Sequence, residues 1–409
     1  MSATAPPVRS AWLVVALLFP VALLNYLDRQ MLATMKSSMV GDLSGITSDA
    51  QWGFVLASFK WVYAALSPIG GYIADRFSRR HVIAVSLFAW SLMTWLTGHV
   101  TSYHELIAAR ALMGISEAFY IPAALALIAD FHLGATRSRA VGLHQTGIYV
   151  GLILGGFAGH VADAPNLGWR WAFSAAGLVG VVYALPLFAL LRNPQRPAES
   201  TASSLTPGRA VAELFSNKNY LLLVLYFTLP AIAGWVIKDW MPVILKEQFH
   251  LSQGDAGVIA VLYVQIATIG GALLGGTLAD RWTRKTPRGR IFVSAIGMTL
   301  FLPALFGLGN PGTIAMAILF LILFGIGWGF FDCNNMPILC QITRPELRAT
   351  GYGIMNLVSI SCGGFGDWGF GALKSHGVPL TLIFGCFTGV ALLSIFNVLL
   401  IKPRTANAA

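Results

Sequence analysis

The motif GGYIADRFSRR (residues 70–80) recurs 205 residues later as GGTLADRWTRK (residues 275–285). A shorter echo pairs residues 139–142 (RAVG) with residues 348–351 (RATG), at a separation of 209. Because the two matches fall at nearly the same offset, we infer that the chain arose by duplication and has two halves of related structure.

The composition indicates a polytopic membrane protein. The chain has 409 residues, 56% of them hydrophobic and only 11% charged, whereas a soluble protein carries about 25% charged residues. Apolar runs of about 20 residues recur along the chain, and each can cross a bilayer core of about 30 Å as a helix. We therefore predict an all-α fold of twelve transmembrane helices, at residues 11–35, 51–74, 82–98, 104–130, 139–162, 170–191, 219–245, 256–280, 290–308, 313–340, 348–372 and 378–401.

The basic residues predict the orientation of these spans. Of the 27 Lys and Arg residues, 19 lie in one set of predicted loops and four in the opposite set. The positive-inside rule places the richer set and both termini in the cytoplasm, as in a multi-pass protein of the inner (plasma) membrane. The same loops explain the formal charge of +10, so we expect no nucleic-acid partner. The remaining four basic residues lie inside spans: Arg29, Lys60, Arg110 and Lys238.

A polar segment divides the chain. Residues 192–218 are rich in Pro and Ser and cannot span a membrane, so we predict a cytoplasmic linker there. It separates an N-terminal six-helix bundle (1–191) from a C-terminal one (219–409), and the two are expected to be pseudo-symmetric. The four cysteines fall in apolar runs with no disulfide or metal spacing, so we expect free thiols and no metal site. We also expect a monomer.

Three motifs resemble the Major Facilitator Superfamily, over essentially the full length of the chain. They are the Gly-x-x-x-Asp-Arg-x-x-Arg-Arg loop after span two, Arg110-x-x-x-Gly114-x-x-Glu117 in span four, and Asn25-Tyr26-x-Asp28-Arg29 in span one. The last motif, with Glu117, looks most like the anion:cation symporter branch, which moves organic anions with protons. The spinster-like branch shares much of the pattern and is the second choice.

The repeated loop motif is a candidate cytoplasmic gate. An acidic residue at a helix end can meet a helix N-terminus or a cation of the other half in one state and lose that partner in the other. The resemblance implies a latch that closes the cytoplasmic side in the outward-facing state. The simpler alternative is that the arginines only fix the topology. The predicted gate residues are Asp75, Arg76, Arg79, Arg80, Arg139, Asp280, Arg281 and Arg348.

Carboxylates inside spans are candidates for proton coupling, because each costs several kcal/mol unless it is paired, hydrated or neutralised. We assign Asp28 and Glu117 as the coupling pair. Adjacent helical residues point about 100° apart, so Asp28 and Arg29 must find partners on other helices. The alternatives are a structural ion pair for Asp28, and a structural hydrogen bond from Glu117 to Arg110 or to span one.

Arginine and lysine inside spans are candidates for anion binding. Arg29 is the preferred anchor, because a guanidinium binds a carboxylate through two hydrogen bonds. Lys60 and Lys238 are predicted at about the same depth. As alternatives, Arg29 serves only Glu117 or Asp28, Lys60 pairs with Asp28 or Asp367, and Lys238 snorkels outward or is neutralised by Asp239. The other predicted substrate contacts are uncharged or titratable side chains: Tyr26, His144, Gln145, Asn335 and Asn356.

Together these features predict a transporter rather than an enzyme or a sensor, because there is no nucleophile–base pair and no further soluble domain. The first hypothesis is proton-coupled symport of a small organic anion, such as a sugar acid or another carboxylate, by alternating access. The alternative is a spinster-like or multidrug-type proton-coupled exporter of an amphiphile or lysolipid. No P-loop motif is present, so we expect no cofactor and a proton gradient as the driving force.

Overall fold

The computed structural model describes residues 8–132, 136–192, 207–344 and 347–403, which form helices and no strand. The helices are α1 (Val8–Thr34), α2 (Lys36–Asp42), α3 (Asp49–Arg76), α4 (Arg79–Thr97), α5 (Tyr103–Glu117), α6 (Tyr120–Phe131), α7 (Arg137–Asp163), α8 (Gly168–Leu190), α9 (Pro207–Ser216), α10 (Lys218–Phe249), α11 (Gln253–Thr283), α12 (Gly289–Leu308), α13 (Ile314–Ile342), α14 (Arg348–Ser375) and α15 (Leu380–Leu400).

These helices match the twelve predicted spans. Counting α5 and α6 as one interrupted span, nine stretches within the described residues are long and apolar enough to cross a membrane. The other three predicted spans correspond to α3, α4 and α14. The predicted all-helical, twelve-span fold is confirmed. Two further short helices lie between spans: α2 after span one, and α9 inside the segment predicted as a linker.

The fourth span is broken between α5 and α6, and its sequence explains why. Pro122 lacks a backbone N–H, and its ring clashes with the carbonyl group four residues earlier, which belongs to Ala118. The helix stops at Glu117 and restarts at Tyr120. Gly70 of α3 approaches this break so closely that a Cβ there would lie 2.5 Å from the carbonyl oxygen of Ala118. The break therefore places Glu117 at the end of a helix inside the bundle.

Helices α1 and α7 pack backbone to backbone through glycine. Gly147, Gly151 and Gly155 recur every four residues on one face of α7, and each faces the backbone of α1. A Cβ at Gly151 would overlap the carbonyl oxygen of Leu23. Small residues at this spacing let two helices approach closely in a membrane.

The described chain forms two compact units. Unit 1 contains α1 to α8 together with the segment Lys238–Val258, and unit 2 contains α9, the first part of α10 up to Ile237, and the chain from Ile259 onward. The proposed division at a linker into bundles 1–191 and 219–409 stays a prediction. The structure adds that Lys238–Val258, from the predicted C-terminal bundle, packs with the helices of unit 1.

The close α1–α7 contact gives a first prediction. Gly151→Ala should destabilise the protein by about 1–3 kcal/mol, because the added methyl group forces the two backbones apart. The measurement is the thermal unfolding midpoint in detergent, which should fall by several degrees.

Gly142→Ala on the same helix is the matched control, because a Cβ at Gly142 meets no atom within 4 Å. Its midpoint should stay unchanged or rise, since alanine favours helix over glycine by about 1 kcal/mol. Equal losses in both variants would show that close packing is not the reason for glycine at position 151.

Candidate functional site

Glu117 and Arg29 form a buried ion pair within unit 1. The Arg29 Nε–H donates to Glu117 Oε2 over 2.7 Å, and a terminal guanidinium nitrogen contacts the same oxygen. The Glu117 side chain is fully buried and that of Arg29 is 10% exposed. Glu117 occupies the last residue of α5, at the break in span four. The predicted anion anchor, Arg29, is therefore bonded to one carboxylate oxygen of the predicted proton carrier, Glu117.

Three aromatic rings surround the Arg29 guanidinium. The Cζ atom lies 4.8 Å from the centre of the Tyr26 ring, 4.7 Å from that of Phe59 and 5.0 Å from that of Tyr63. Each distance suits a cation–π interaction, which stabilises a desolvated guanidinium by about 2 kcal/mol or less per ring. These rings hold Arg29 in place without neutralising its charge.

Asp28 points to a different helix from Arg29, in agreement with the 100° between adjacent helical residues. Its Oδ2 accepts a hydrogen bond from Thr94 Oγ1 of α4 over 2.9 Å. The other oxygen, Oδ1, is buried and accepts no hydrogen bond from the described residues. A buried carboxylate with one unsatisfied oxygen is a suitable place for a proton.

Arg110 is buried and makes no direct ion pair to a described residue. Its Cζ is 4.6 Å from the centre of the Phe59 ring, on which Arg29 also packs. It interacts electrostatically with Glu117, Asp28 and Asp239. Of the predicted alternatives for Glu117, a hydrogen bond to Arg110 is not found, and a hydrogen bond to span one is found, from Arg29. The same bond agrees with the alternative in which Arg29 serves Glu117. The NH1 group of Arg110 contacts the Met113 sulfur at 3.0 Å.

Lys60 forms an ion pair with Asp239 of α10. The two side chains are 5% and 11% exposed. The sequence had suggested Asp28 or Asp367 as partners of Lys60, and Lys238 as the partner of Asp239. The observed pairing differs because residues 238–258 pack into unit 1, where Asp239 turns toward α3.

Lys238 turns inward to α1 and does not snorkel outward. Its Nζ lies 5.0 Å from the centre of the Tyr26 ring, and its carbonyl group accepts a hydrogen bond from Gln30 Nε2 over 3.3 Å. Since the Tyr26 ring contacts both Lys238 and Arg29, two of the three predicted cations come together around one tyrosine. We name the whole group the charge cluster: Asp28, Arg29, Lys60, Arg110, Glu117, Lys238 and Asp239.

The predicted polar contacts fall in both units. His144 Nε2 lies 2.8 Å from the Tyr120 hydroxyl, as expected for a histidine in a hydrogen-bond network, and Gln145 is half-buried. Asn335 and Asn356 belong to unit 2. Both side-chain amide atoms of Asn335 are buried and bond to no described residue.

Three of the predicted gate residues contact partners from their own half of the sequence. Arg79 pairs with Asp130, Asp280 accepts a hydrogen bond from Arg290 over 2.6 Å, and Arg348 donates to the Cys340 carbonyl over 3.2 Å. The side chains of Asp75 and Arg76 lie outside the described part of the chain. The other three predicted gate side chains are half-buried or exposed: Arg80, Arg139 and Arg281.

Sequence reasoning missed four contributors to the site: Phe59, Tyr63, Thr94 and Asp239 as the partner of Lys60. Asp239 carried a usable signal, because any carboxylate inside a span needs a partner. Phe59 and Tyr63 flank Lys60 in a stretch that is aromatic on several sides, so nothing in the sequence indicates which rings face the arginine.

The family profile described as Major Facilitator Superfamily matches residues 18–366. Protein spinster of Drosophila melanogaster is 27% identical over 375 residues, which cover 88% of this chain and 61% of that protein. Protein spinster homolog 1 of Homo sapiens is 29% identical over 389 residues, covering 88% of this chain and 72% of that protein. The chain thus spans about three-fifths of the length of the Drosophila relative.

Two solved structures share the fold. A bacterial homolog to the human lysosomal transporter spinster, in an inward-facing and unoccupied conformation, matches with a TM-score of 0.78 and 20% identity over 97% of this chain and 95% of that one. A D-xylose–proton symporter matches with a TM-score of 0.74 and 18% identity over 98% of this chain and 99% of that one. At these identities the likeness shows the fold alone.

The spinster relatives support the spinster-like branch, which is the second choice from the sequence motifs. With the family profile over most of its length and twelve helical spans, the chain belongs to the Major Facilitator Superfamily and is a membrane-embedded secondary transporter, not an enzyme.

Proposed function

We propose that this transporter couples proton movement to the symport of a small organic anion, such as a sugar acid or another carboxylate. One observation carries the proposal: the Arg29 guanidinium, held by three aromatic rings, bonds to the Glu117 carboxylate. A substrate carboxylate needs the same donors. Glu117 and the substrate therefore compete for Arg29, and a proton on Glu117 decides between them.

The coupling follows from charge balance. When Glu117 takes a proton, its pair with Arg29 weakens and the guanidinium becomes free to bind the substrate carboxylate through two hydrogen bonds. Without that proton, Glu117 keeps Arg29, and the substrate carboxylate would be buried without this partner, at a cost of several kcal/mol. Protonated transporter thus binds the anion, and deprotonation expels it.

Asp28 is proposed as the second proton carrier, since its Oδ1 has no hydrogen-bond donor among the described residues. Lys60 and Lys238 would add positive charge near the anion. Hydroxyl groups of a sugar acid would bind to uncharged or titratable side chains: Tyr26, His144, Gln145, Asn335 and Asn356. The protons supply the driving force, so the proposal requires no cofactor.

The transport cycle proposed is alternating access, in which the two bundles rock around the site. The repeated loop motif would act as the cytoplasmic latch. The partners that Arg79, Asp280 and Arg348 have in this structure would belong to one state of the transport cycle. In the other state, Asp75 or Asp280 would meet a helix end or a cation of the opposite bundle. Transport is proposed in the inward direction by a monomer.

A second candidate is export of an amphiphile or lysolipid. Two observations favour it: the spinster relatives and an apolar groove of about 290 Å³ in unit 2. The groove is lined by residues of α14 and α15, including Phe365, Gly369, Leu382 and Cys386. An acyl chain would fit such a surface, but it would make no use of the charged residues of the charge cluster.

The proton-coupled uptake can be measured in proteoliposomes with labelled gluconate, glucuronate or succinate. An inward gradient of two pH units should drive accumulation, with a limit of about 100-fold for one proton per charge-balanced cycle. Arg29→Ala should weaken binding about 10- to 100-fold, because it removes a charge-assisted hydrogen-bonded pair. Glu117→Gln should keep anion exchange and lose gradient-driven accumulation.

Arg209→Ala, an exposed arginine on α9, is the control for loss of a guanidinium and should transport normally. Near-normal affinity in Arg29→Ala would refute the anchor, and intact accumulation in Glu117→Gln would refute the coupling role. If the anions fail while lysophosphatidylcholine is released, the exporter hypothesis takes precedence.

The proposed orientation in the inner membrane gives a separate prediction. The test uses single-cysteine variants in a background without the four native cysteines. Ser216→Cys lies at the end of α9, on the proposed cytoplasmic side. His376→Cys lies after α14, on the opposite side. Both positions are exposed. A membrane-impermeant maleimide added to intact cells should label the His376→Cys variant and spare the Ser216→Cys variant; the reverse result would invert the topology.

A further inference from the structure

We propose that Asp239 holds Lys60 in place of the substrate anion, and that an anion which displaces Asp239 releases the segment Lys238–Val258 from the helices of unit 1. The inference rests on the proposed function, because it requires an anionic substrate. It assigns Asp239 as a positioning residue that determines which ligands trigger this release.

The first support is the ion pair itself. Lys60 of α3 and Asp239 of α10 are buried, and their ion pair joins positions 179 residues apart in the chain. Removing one partner from a buried pair typically costs about 3–5 kcal/mol, because the other charge is left buried and unpaired. A ligand that takes Lys60 away from Asp239 leaves the Asp239 carboxylate buried and unpaired. A movement of α10 that brings Asp239 to water then lowers the free energy of the transporter.

The second support is the other contacts of Lys238–Val258, most of which are weaker than an ion pair. Gln30 Nε2 donates to the Lys238 carbonyl over 3.3 Å, and the Gly254 N–H donates to Asp163 Oδ2 over 3.0 Å. The Gln253 side-chain amide donates to Ser38 Oγ over 2.8 Å. Neutral hydrogen bonds contribute about 0.5–1.5 kcal/mol each, and those to a charged group about 1.5–3 kcal/mol. Of these four polar contacts, the Lys60–Asp239 pair is the one that an anion can break directly, by taking the place of Asp239 at Lys60.

The third support is position. Asp239 and Glu117 both interact electrostatically with Arg110. Lys60 directly follows Phe59, whose ring packs on the guanidinium groups of Arg29 and Arg110. An anion bound at Arg29 therefore enters the same field that holds Asp239 on Lys60.

The number of carboxylates in the ligand decides whether Asp239 is displaced. One carboxylate of the ligand takes the place of Glu117 at Arg29. The second carboxylate of a dicarboxylate competes with Asp239 for Lys60. Dicarboxylates should therefore release the segment more strongly than monocarboxylates of similar size.

The test combines binding with hydrogen–deuterium exchange on the purified full chain, using succinate and gluconate as probes. In the wild type, saturating succinate should raise exchange in peptides from residues 238–258. Asp239→Asn should show that raised exchange without any anion and should bind succinate about tenfold more tightly, a gain of about 1.4 kcal/mol, because the internal competitor is gone. Asp239→Glu should restore wild-type exchange and affinity.

Glu247→Gln removes an exposed carboxylate from the same segment and should change neither quantity. The charge exchange Lys60→Asp with Asp239→Lys should keep the segment protected and abolish the response to succinate. Unchanged succinate affinity and unchanged exchange in Asp239→Asn would overturn the inference about Asp239. The proposed function would still stand in that case if anion binding depends on Arg29. If the wild type binds neither probe nor any other anion, both fall together.

Discussion

The cost of burying a charge among lipid-embedded helices governs this protein. A charged side chain in such a place must be paired, hydrated or neutralised by a proton, and unit 1 contains the seven side chains of the charge cluster. The bond between Arg29 and Glu117 satisfies two of them at once. Because that bond uses the donors that an anionic substrate would need, the requirement for charge balance links the structure of the helices to the chemistry of transport.

The backbone is arranged to make this bond possible. Pro122 interrupts the fourth span, so Glu117 ends a helix in the interior instead of lying on a continuous helical face. Gly70 lets α3 approach the interruption. The same helix, α3, carries Phe59 and Tyr63 to the Arg29 guanidinium and Lys60 to Asp239. One helix therefore supplies a member of one ion pair and part of the aromatic surroundings of the other.

The two pairs differ in what they join. Arg29 and Glu117 belong to helices of the predicted N-terminal bundle, so a change in their bond alters the charge of the site. Lys60 and Asp239 join that bundle to a segment from the second half of the sequence, so a change in their bond alters how the segment is held. An alternating-access transporter must connect two parts. One is a site whose affinity depends on its charge, and the other is a contact that holds the end of a helix.

The sequence by itself determined the twelve spans, the duplication and the superfamily, because apolar length and repeated motifs are properties of the chain that no packing can change. It also identified Asp28, Arg29, Glu117, Lys60 and Lys238, since a charge in an apolar run is conspicuous wherever it points. Only the tertiary structure decided the partners. Helices that are apolar all round carry no periodicity that fixes their rotation, so which side of α10 faces α3, and hence that Asp239 binds Lys60, depends on how the folded helices pack.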